Sequence, residues 1–166
     1  MIDSGRVAFP SEESLIYADL LKGKDTIRIF NTHLQSFKFK KNDYADIEKI
    51  KDPNESSFSA TLRLMRKMKA AYKKRGTQTT LVNIAMERSP YPSIISGDFN
   101  DVPNSYTYFS IRGNKKDAFL ERSFGLGRSF ISIAPTLRID YILPDQQFEV
   151  KQFDMVDEAL SDHIML

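Results

Sequence analysis

Four short stretches of the sequence place groups capable of acid-base or metal chemistry next to apolar runs. In residues 94–101, IISGDFND, two isoleucines are soon followed by a carboxylate and a carboxamide. Burying such groups costs free energy unless they are paired or the site is wet, so their placement requires a reason. The groups in the four stretches are His33, Asp98, Asn100, Asp140, Asp162 and His163.

The alternation of side chains along a strand assigns these groups to common faces. His33 follows Ile27 and Ile29 on one face, and Asp98 follows Ile94 in the same way. Each residue taken alone has an ordinary explanation, such as a packed histidine or an Asx turn. Because all four stretches end an apolar strand with a reactive group, we predict that the groups converge at one rim of a sheet, held rigidly by buried strands.

The types of group point to a class of reaction. Carboxylate and carboxamide oxygens suit a hard cation such as Mg²⁺, and two imidazoles can contact or protonate an anionic substrate. The sequence contains no Gly-rich phosphate loop, no Gly-x-Ser-x-Gly motif and no His-Glu-x-x-His motif. Metal-assisted attack of water on a phosphate ester is the chemistry that this set of groups favours.

Composition limits the remaining possibilities. The 166 residues correspond to one domain with a sizeable core, and the formal net charge of +2 does not by itself indicate a polyanionic partner. The absence of cysteine excludes disulfides and thiolate sites. Residues 1–10 do not have the pattern of a signal peptide, and no apolar run is long enough for a membrane helix, so we expect a soluble chain.

The sequence pattern predicts a mixed α/β fold. Residues 15–21 and 27–34 are predicted to form a hairpin that is apolar on both faces, as in a sheet covered on two sides. Further strands are predicted at 93–99, 137–143 and 148–153, and helices at 44–50, 60–75, 80–88, 106–112 and 117–122.

Gly76 is expected to end the helix over 60–75. The stripe of Leu62, Met65, Met68 and Tyr72 is interpreted as core, and the face that carries Arg63, Arg66, Lys67, Lys73, Lys74 and Arg75 as solvent-exposed.

The motifs NTHL, GDFND, RIDYIL and SDH, in this order, resemble the later motifs of the endonuclease/exonuclease/phosphatase superfamily. The resemblance runs from about residue 27 to the end of the chain. It implies that Asp98 deprotonates the attacking water, that Asn100 holds this water or a phosphate oxygen, and that His33 contacts the scissile phosphate or assists proton transfer. It also implies that Asp140 keeps His163 cationic against the transition state, and that Asp162 binds the metal, Mg²⁺ or alternatively Mn²⁺.

The resemblance further implies a four-layered α/β sandwich of mainly antiparallel sheets with outer helices. Members of the superfamily begin with a strand-borne asparagine and a glutamate that is the main metal ligand, and neither precedes His33 here, because Glu12 and Glu13 lie outside any predicted strand. We therefore expect residues 1–166 to be one domain that lacks N-terminal strands and a short C-terminal part, with any targeting segment in the missing portion. Uncovered sheet surface would favour self-association.

Two functional hypotheses follow. The first is a metal-dependent hydrolase of phosphate esters, whose substrate is a nucleic acid, a phospholipid head group or a small phosphoester. The second is a catalytically incomplete domain of the same fold that serves in binding or assembly, and the missing glutamate is the feature that favours it. A plain α/β scaffold with coincidental polar strand ends is the third reading.

Overall fold

A computed structural model describes residues 1–51, 58–130, 137–158 and 160–166. The whole predicted 137–143 strand and the whole motif set lie within these ranges. The elements in chain order are β1 (Asp3–Ala8), β2 (Ser14–Lys22), β3 (Asp25–His33), α1 (Lys41–Lys51), α2 (Phe58–Glu87), β4 (Ser93–Asp98), α3 (Tyr106–Arg112), α4 (Ala118–Arg122) and β5 (Asp140–Pro144). No helix in the described part of the chain has the length and apolar content needed to cross a membrane.

The five strands form one mixed sheet in the order β1-β2-β3-β4-β5. The pairs β1–β2, β2–β3 and β4–β5 are antiparallel, and only β3–β4 is parallel. The predicted hairpin of β2 and β3 is confirmed, with Gly23 in the left-handed region at the turn. The chain passes from β3 to β4 through α1 and α2, which is the long crossover that a parallel pair requires.

The hydrophobic core lies between one face of the sheet and helices α2 and α3. From the sheet it contains Leu15, Phe30, Ile95, Tyr141 and Leu143. From the helices it contains Val82, Tyr108 and Ile111. Since these sheet residues alternate along their strands, they define a single covered face.

The opposite face of the sheet is open in the described residues, so the prediction that these strands are covered on both sides is wrong for this part of the chain. Ile16 and Leu20 are 49% and 38% exposed, and Ile27, Ile29 and Ile94 are only half-buried. The register places Ile16 beside Asn31, and Ala18 beside Ile29, on this face. The described residues thus provide one sheet and one helix layer, which are two of the four layers of the expected sandwich.

Helix α2 differs from the prediction in two respects. It continues through Gly76 to Glu87, so the two helices predicted over 60–75 and 80–88 are one helix. A glycine in a helix costs only about 1 kcal/mol, and packing of the buried Val82 and Thr79 in the following turns outweighs that cost. The predicted core stripe is also wrong, since Leu62, Met65 and Tyr72 are exposed. The buried positions are Ala60, Leu64, Ala71, Arg75, Gln78, Thr79 and Val82.

Three strand predictions also change. β1 was not predicted, because DSGRVA has little apolar character; it forms by pairing with β2 along the sheet edge. β5 begins at Asp140 rather than at residue 137, and no strand forms over 148–153. A turn in which the Phe148 amide donates to the Asp145 carbonyl leads the chain away from the sheet.

Gly97 is the one position in β4 where the pairing with β3 excludes a side chain. Its φ is +138°, and a Cβ added there would lie 1.9 Å from the Thr32 carbonyl oxygen. We expect Gly97→Ala to lower the free energy of unfolding by at least about 2 kcal/mol in urea titrations. Gly76→Ala is the matched control: it meets no atom within 4 Å and should raise the free energy of unfolding by about 0.5–1 kcal/mol. Equal effects at the two glycines would contradict this account of the strand pairing.

Candidate active site

Three predicted site residues lie side by side across the open face of the sheet. In the strand register, His33 of β3 is the neighbour of Asp98 of β4, and Asp98 is the neighbour of Asp140 of β5. The parallel β3 and β4 end at the same rim, and the antiparallel β5 begins there. The rim therefore brings together one imidazole and two carboxylates. His33 and Asp98 are more than 60 residues apart in the chain, and Asp98 and Asp140 about 40.

Asn100 holds the carboxylate of Asp98 in place. Its backbone N–H donates to Asp98 Oδ1 at 2.7 Å, and its Nδ2 donates to Asp98 Oδ2 and to the Leu34 carbonyl oxygen, each at 2.9 Å. Asn100 has a φ of +51°, a conformation that asparagine tolerates better than most residues. Its Nδ2 also lies 3.2 Å from His33 Nε2, so this carboxamide touches both catalytic candidates beside it.

Asp98 lies between the two histidines of the chain. Its Oδ2 is 3.5 Å from His33 Nε2 and 4.0 Å from His163 Nε2. Burial, and then the negative charge of Asp140, raise the pKa of Asp98 to about 6. A carboxylate with this pKa is ionised at neutral pH and is a stronger base than an ordinary aspartate, as general-base catalysis requires.

His163 pairs with Asp140, as the resemblance implies. His163 Nδ1 lies 3.0 Å from Asp140 Oδ2. Burial works against the cationic form of the imidazole, but the hydrogen bond and the charge of Asp140 outweigh it, so the pKa of His163 is raised. The pairing directs Nε2 towards Asp98 and favours an imidazolium there.

Ser129 and Phe130, which sequence reasoning missed, position the Asp140–His163 pair. Ser129 is fully buried, and its Oγ accepts the backbone N–H groups of Ile139 and Asp140, each at 3.0 Å. Its carbonyl accepts the N–H of Ile164, and the ring of Phe130 packs against that of His163 with centroids 4.8 Å apart. Both residues lie in a Gly-rich stretch with loop composition, so no local signal marked them.

Asp162 and the two early glutamates lie apart from this arrangement. Among the described residues, the group of three His, Asp or Glu side chains whose ligand atoms all lie within 4.8 Å of one another consists of Asp98, Asp140 and His163. Asp162 is exposed and acts on His163 by its charge. Glu12 and Glu13 lie between β1 and β2, outside any strand as expected, and both face Lys38.

Arg75 lies buried behind the rim and holds the chain segments that follow two of the strand ends. The prediction that it lies on a solvent-exposed face of the helix is wrong. Arg75 is fully buried; its Nη1 donates to the Gln35 carbonyl oxygen at 2.7 Å, and its Nε lies 3.3 Å from Asp101 Oδ2. Burial lowers the pKa of Arg75 from its usual value, and the charge of Asp101 opposes this shift. Gln78, one turn later, accepts the Gln35 N–H. Helix α2 thus fixes the chain after His33 and after Asn100 together.

These groups provide a base, a cation and an amide donor around one point. Asp98 can take a proton, the two imidazoles can present positive charge, and Asn100 orients the carboxylate. The two carboxylates also provide the hard oxygen donors that Mg²⁺ and Mn²⁺ bind. An anion with a reacting oxygen, such as a phosphate ester, matches this arrangement of charges.

Comparison with known proteins agrees with this reading. The model of the Endonuclease/Exonuclease/phosphatase family matches residues 70–163, which is more than half of the chain and includes the Asp98, Asp140 and His163 motifs. A search of curated protein sequences returned no match.

Several solved structures have a similar fold. A humanized D. rerio TDP2 with 14 mutations has a TM-score of 0.60 and 16% identity, covering 98% of this chain and 63% of that one. The Bacteroides thetaiotaomicron mannosyl-6-phosphatase Bt3783 has a TM-score of 0.58 and 17% identity over 98% and 63% of the two chains. Sphingomyelinase C from Streptomyces griseocarneus has a TM-score of 0.50 and 18% identity over 87% and 49%. This chain therefore spans less than two thirds of the length of each of these proteins.

We expect Arg75→Met to destabilise the protein by about 3–5 kcal/mol, because it leaves the buried Asp101 without its cation. The free energy of unfolding in urea measures this effect. Arg66→Met, on the exposed side of the same helix, is the control and should change stability by no more than about 0.5 kcal/mol. Similar values for the two variants would contradict the supporting role of Arg75.

Proposed function

Since the chain belongs to the Endonuclease/Exonuclease/phosphatase family, we propose that the full-length protein hydrolyses phosphate esters by direct attack of water on phosphorus. The observation that supports this most is the position of Asp98 between His33 and His163, with its carboxylate oriented by Asn100. We also propose that residues 1–166 form part of a single domain of this family.

Each side chain has a role in the proposed reaction. Asp98 takes a proton from the attacking water while the water oxygen forms its bond to phosphorus. The bond between phosphorus and the ester oxygen then breaks, and His33 supplies a proton to the departing oxygen. His163, held cationic by Asp140, stabilises the negative charge on the phosphate oxygens, and Asn100 holds the water or one of those oxygens.

We propose that the site uses a divalent cation, Mg²⁺ or alternatively Mn²⁺. Its donors would be carboxylate oxygens: Asp162 is the ligand carried over from the family motif, and Asp98 and Asp140 are the carboxylates that the structure brings together with His163. When bound, such a cation supplies positive charge to the phosphate oxygens. The acidic residues of the rim are what fit a cation; His33 keeps its proton-transfer role and His163 its role as a cation beside the phosphate oxygens.

The substrate class is left open by the related structures. One is named as a mannosyl-6-phosphatase and another as a sphingomyelinase, so proteins of this fold act on different phosphate esters. A nucleic acid, a phospholipid head group and a small phosphoester are therefore the substrates to compare in one assay with the full-length protein.

We expect Asp98→Asn and His163→Ala each to reduce kcat on a generic phosphodiester by about 100-fold or more, since groups of this kind contribute about 10²–10⁴-fold. Asp25→Asn, an exposed aspartate in the β2–β3 hairpin, is the control and should keep full activity. Removing divalent cations with a chelator should abolish turnover, and adding Mg²⁺ or Mn²⁺ should restore it. Losses below about tenfold in both variants would contradict the assigned roles.

The open face of the sheet favours a second candidate function, in which the domain serves binding or assembly. Its central residues are apolar and partly exposed, among them Ile16, Leu20, Ile27 and Ile29. Apolar surface of this kind is normally covered by another part of the protein or by a partner. We propose that residues 1–166, when expressed alone, cover this face by associating with a second copy.

We expect light scattering after size exclusion to give a dimer or larger species for residues 1–166 at micromolar concentrations. The double variant Ile16→Lys/Leu20→Lys should shift the chain towards monomer, because it places two charges on the open face. Phe124→Lys, at a residue that is 95% exposed and away from the sheet, should leave the association unchanged. A monomeric wild-type chain would contradict the proposal.

A further inference from the structure

A cavity of about 520 Å³ opens beside the candidate active site. Its walls come from the loops after β3 and after β4, from α1, from the first half of α2, from residues just before β5, and from Phe130 and His163. The volume exceeds what a phosphate group needs and lies in the range of small-molecule sites. Its lining is mainly apolar and aromatic, with Phe37, Phe39, Tyr44, Tyr72 and Phe130 as its rings.

The cavity is continuous with the acidic and histidine-bearing rim. Asn100 and His163 belong to its lining, and both also contact the site through Asp98 and Asp140. Phe130, whose ring centroid lies 4.8 Å from that of His163, also belongs to the lining. A phosphate group placed between the two histidines would therefore have the organic group next to it directed into this cavity.

We propose that this cavity binds an aromatic ring attached through oxygen to the phosphate, so that the preferred substrates are phosphate esters with an aromatic group next to phosphorus. This inference rests on the proposed hydrolysis and names the substrate class for the same site. The apolar lining alone would accept any hydrophobic group; the arrangement of its rings selects among them.

Four of the five rings form a connected set with the geometry of an aromatic site. Phe37 and Phe39 are stacked at 5.2 Å between centroids, and Tyr72 and Tyr44 present their edges to these two rings at 5.5 and 6.1 Å. Stacked and edge-on contacts favour a further ring over an alkyl chain of equal area. The Arg75 guanidinium lies over Phe37 and Tyr72, at 4.7 and 4.6 Å, and keeps this wall in position.

Phosphonates test the cavity without requiring catalysis, because their carbon–phosphorus bond is not cleaved by ester hydrolysis. Calorimetric titration of the full-length protein, in buffer with Mg²⁺, would compare phenylphosphonate, hexylphosphonate and methylphosphonate. We expect phenylphosphonate to bind about 10- to 100-fold more tightly than methylphosphonate, the gain expected when an apolar group of this size is fully buried. Hexylphosphonate should bind more weakly than phenylphosphonate.

Substitution of Phe39 locates the effect in the cavity. Phe39→Ala should reduce the preference for phenyl over methyl to about threefold or less, while methylphosphonate affinity stays within about twofold, because the ring of Phe39 packs with Phe37 and Tyr44 in the cavity wall. Phe39→Leu keeps apolar volume without a ring and should show an intermediate preference. Phe124→Ala, an exposed phenylalanine outside the cavity, is the control and should bind all three ligands as the wild type does.

The outcomes separate this inference from the proposed hydrolysis. Equal binding of the phenyl and methyl compounds, tighter binding of hexylphosphonate, or a preference unaffected by Phe39→Ala would overturn the aromatic site. Hydrolysis of phosphate esters together with any of these results would leave the proposed function standing and the inference refuted. A phenyl preference lost in Phe39→Ala, in a protein that hydrolyses no phosphate ester, would support the cavity and refute the hydrolysis.

Discussion

The parallel pairing of β3 with β4 is the contact on which the site depends. It brings the last residue of one strand, His33, beside the last residue of the other, Asp98, although α1 and α2 separate them in the chain. The Thr32 carbonyl oxygen comes so close to Gly97 that no side chain fits there. Glycine at this position therefore lets the ends of the two strands pair closely. β5 then adds Asp140 to the same row by antiparallel pairing. A shift of one residue in either pairing would turn these side chains to the covered face and dismantle the row.

Much of the sheet and part of the site could be predicted from the sequence because they rest on local patterns. The apolar runs identified β2, β3 and β4, and the period of two placed His33 and Asp98 on the same face of their strands. The geometric hypothesis that His33, Asp98, Asn100, Asp140 and His163 converge agrees with the distances among them. Their catalytic roles remain predictions, as does the metal-binding role of Asp162.

The features that sequence reasoning missed depend on tertiary contacts. Arg75 belongs to a lysine- and arginine-rich helix, and its burial follows from where α2 crosses the chain after His33, which no local pattern records. The failure of Gly76 to end the helix has a similar cause, because packing on either side of it overrides a weak propensity. Ser129 acts through hydrogen bonds from residues 139 and 140, which lie ten or more positions away in the chain. β1 owes its conformation to β2 rather than to its own residues.

The continuous helix α2 has a mechanical consequence. Its 30 residues extend roughly 45 Å as a single rod, at 1.5 Å per residue. Along that rod lie Leu64, Met68 and Tyr72 in the cavity wall, then Arg75 behind the strand ends, then Val82 in the core. A break at Gly76 would have left a hinge between the part that faces a ligand and the part anchored in the core. Without that hinge, the cavity wall and the strand-end support belong to one rod, so any tilt of the helix would move both together.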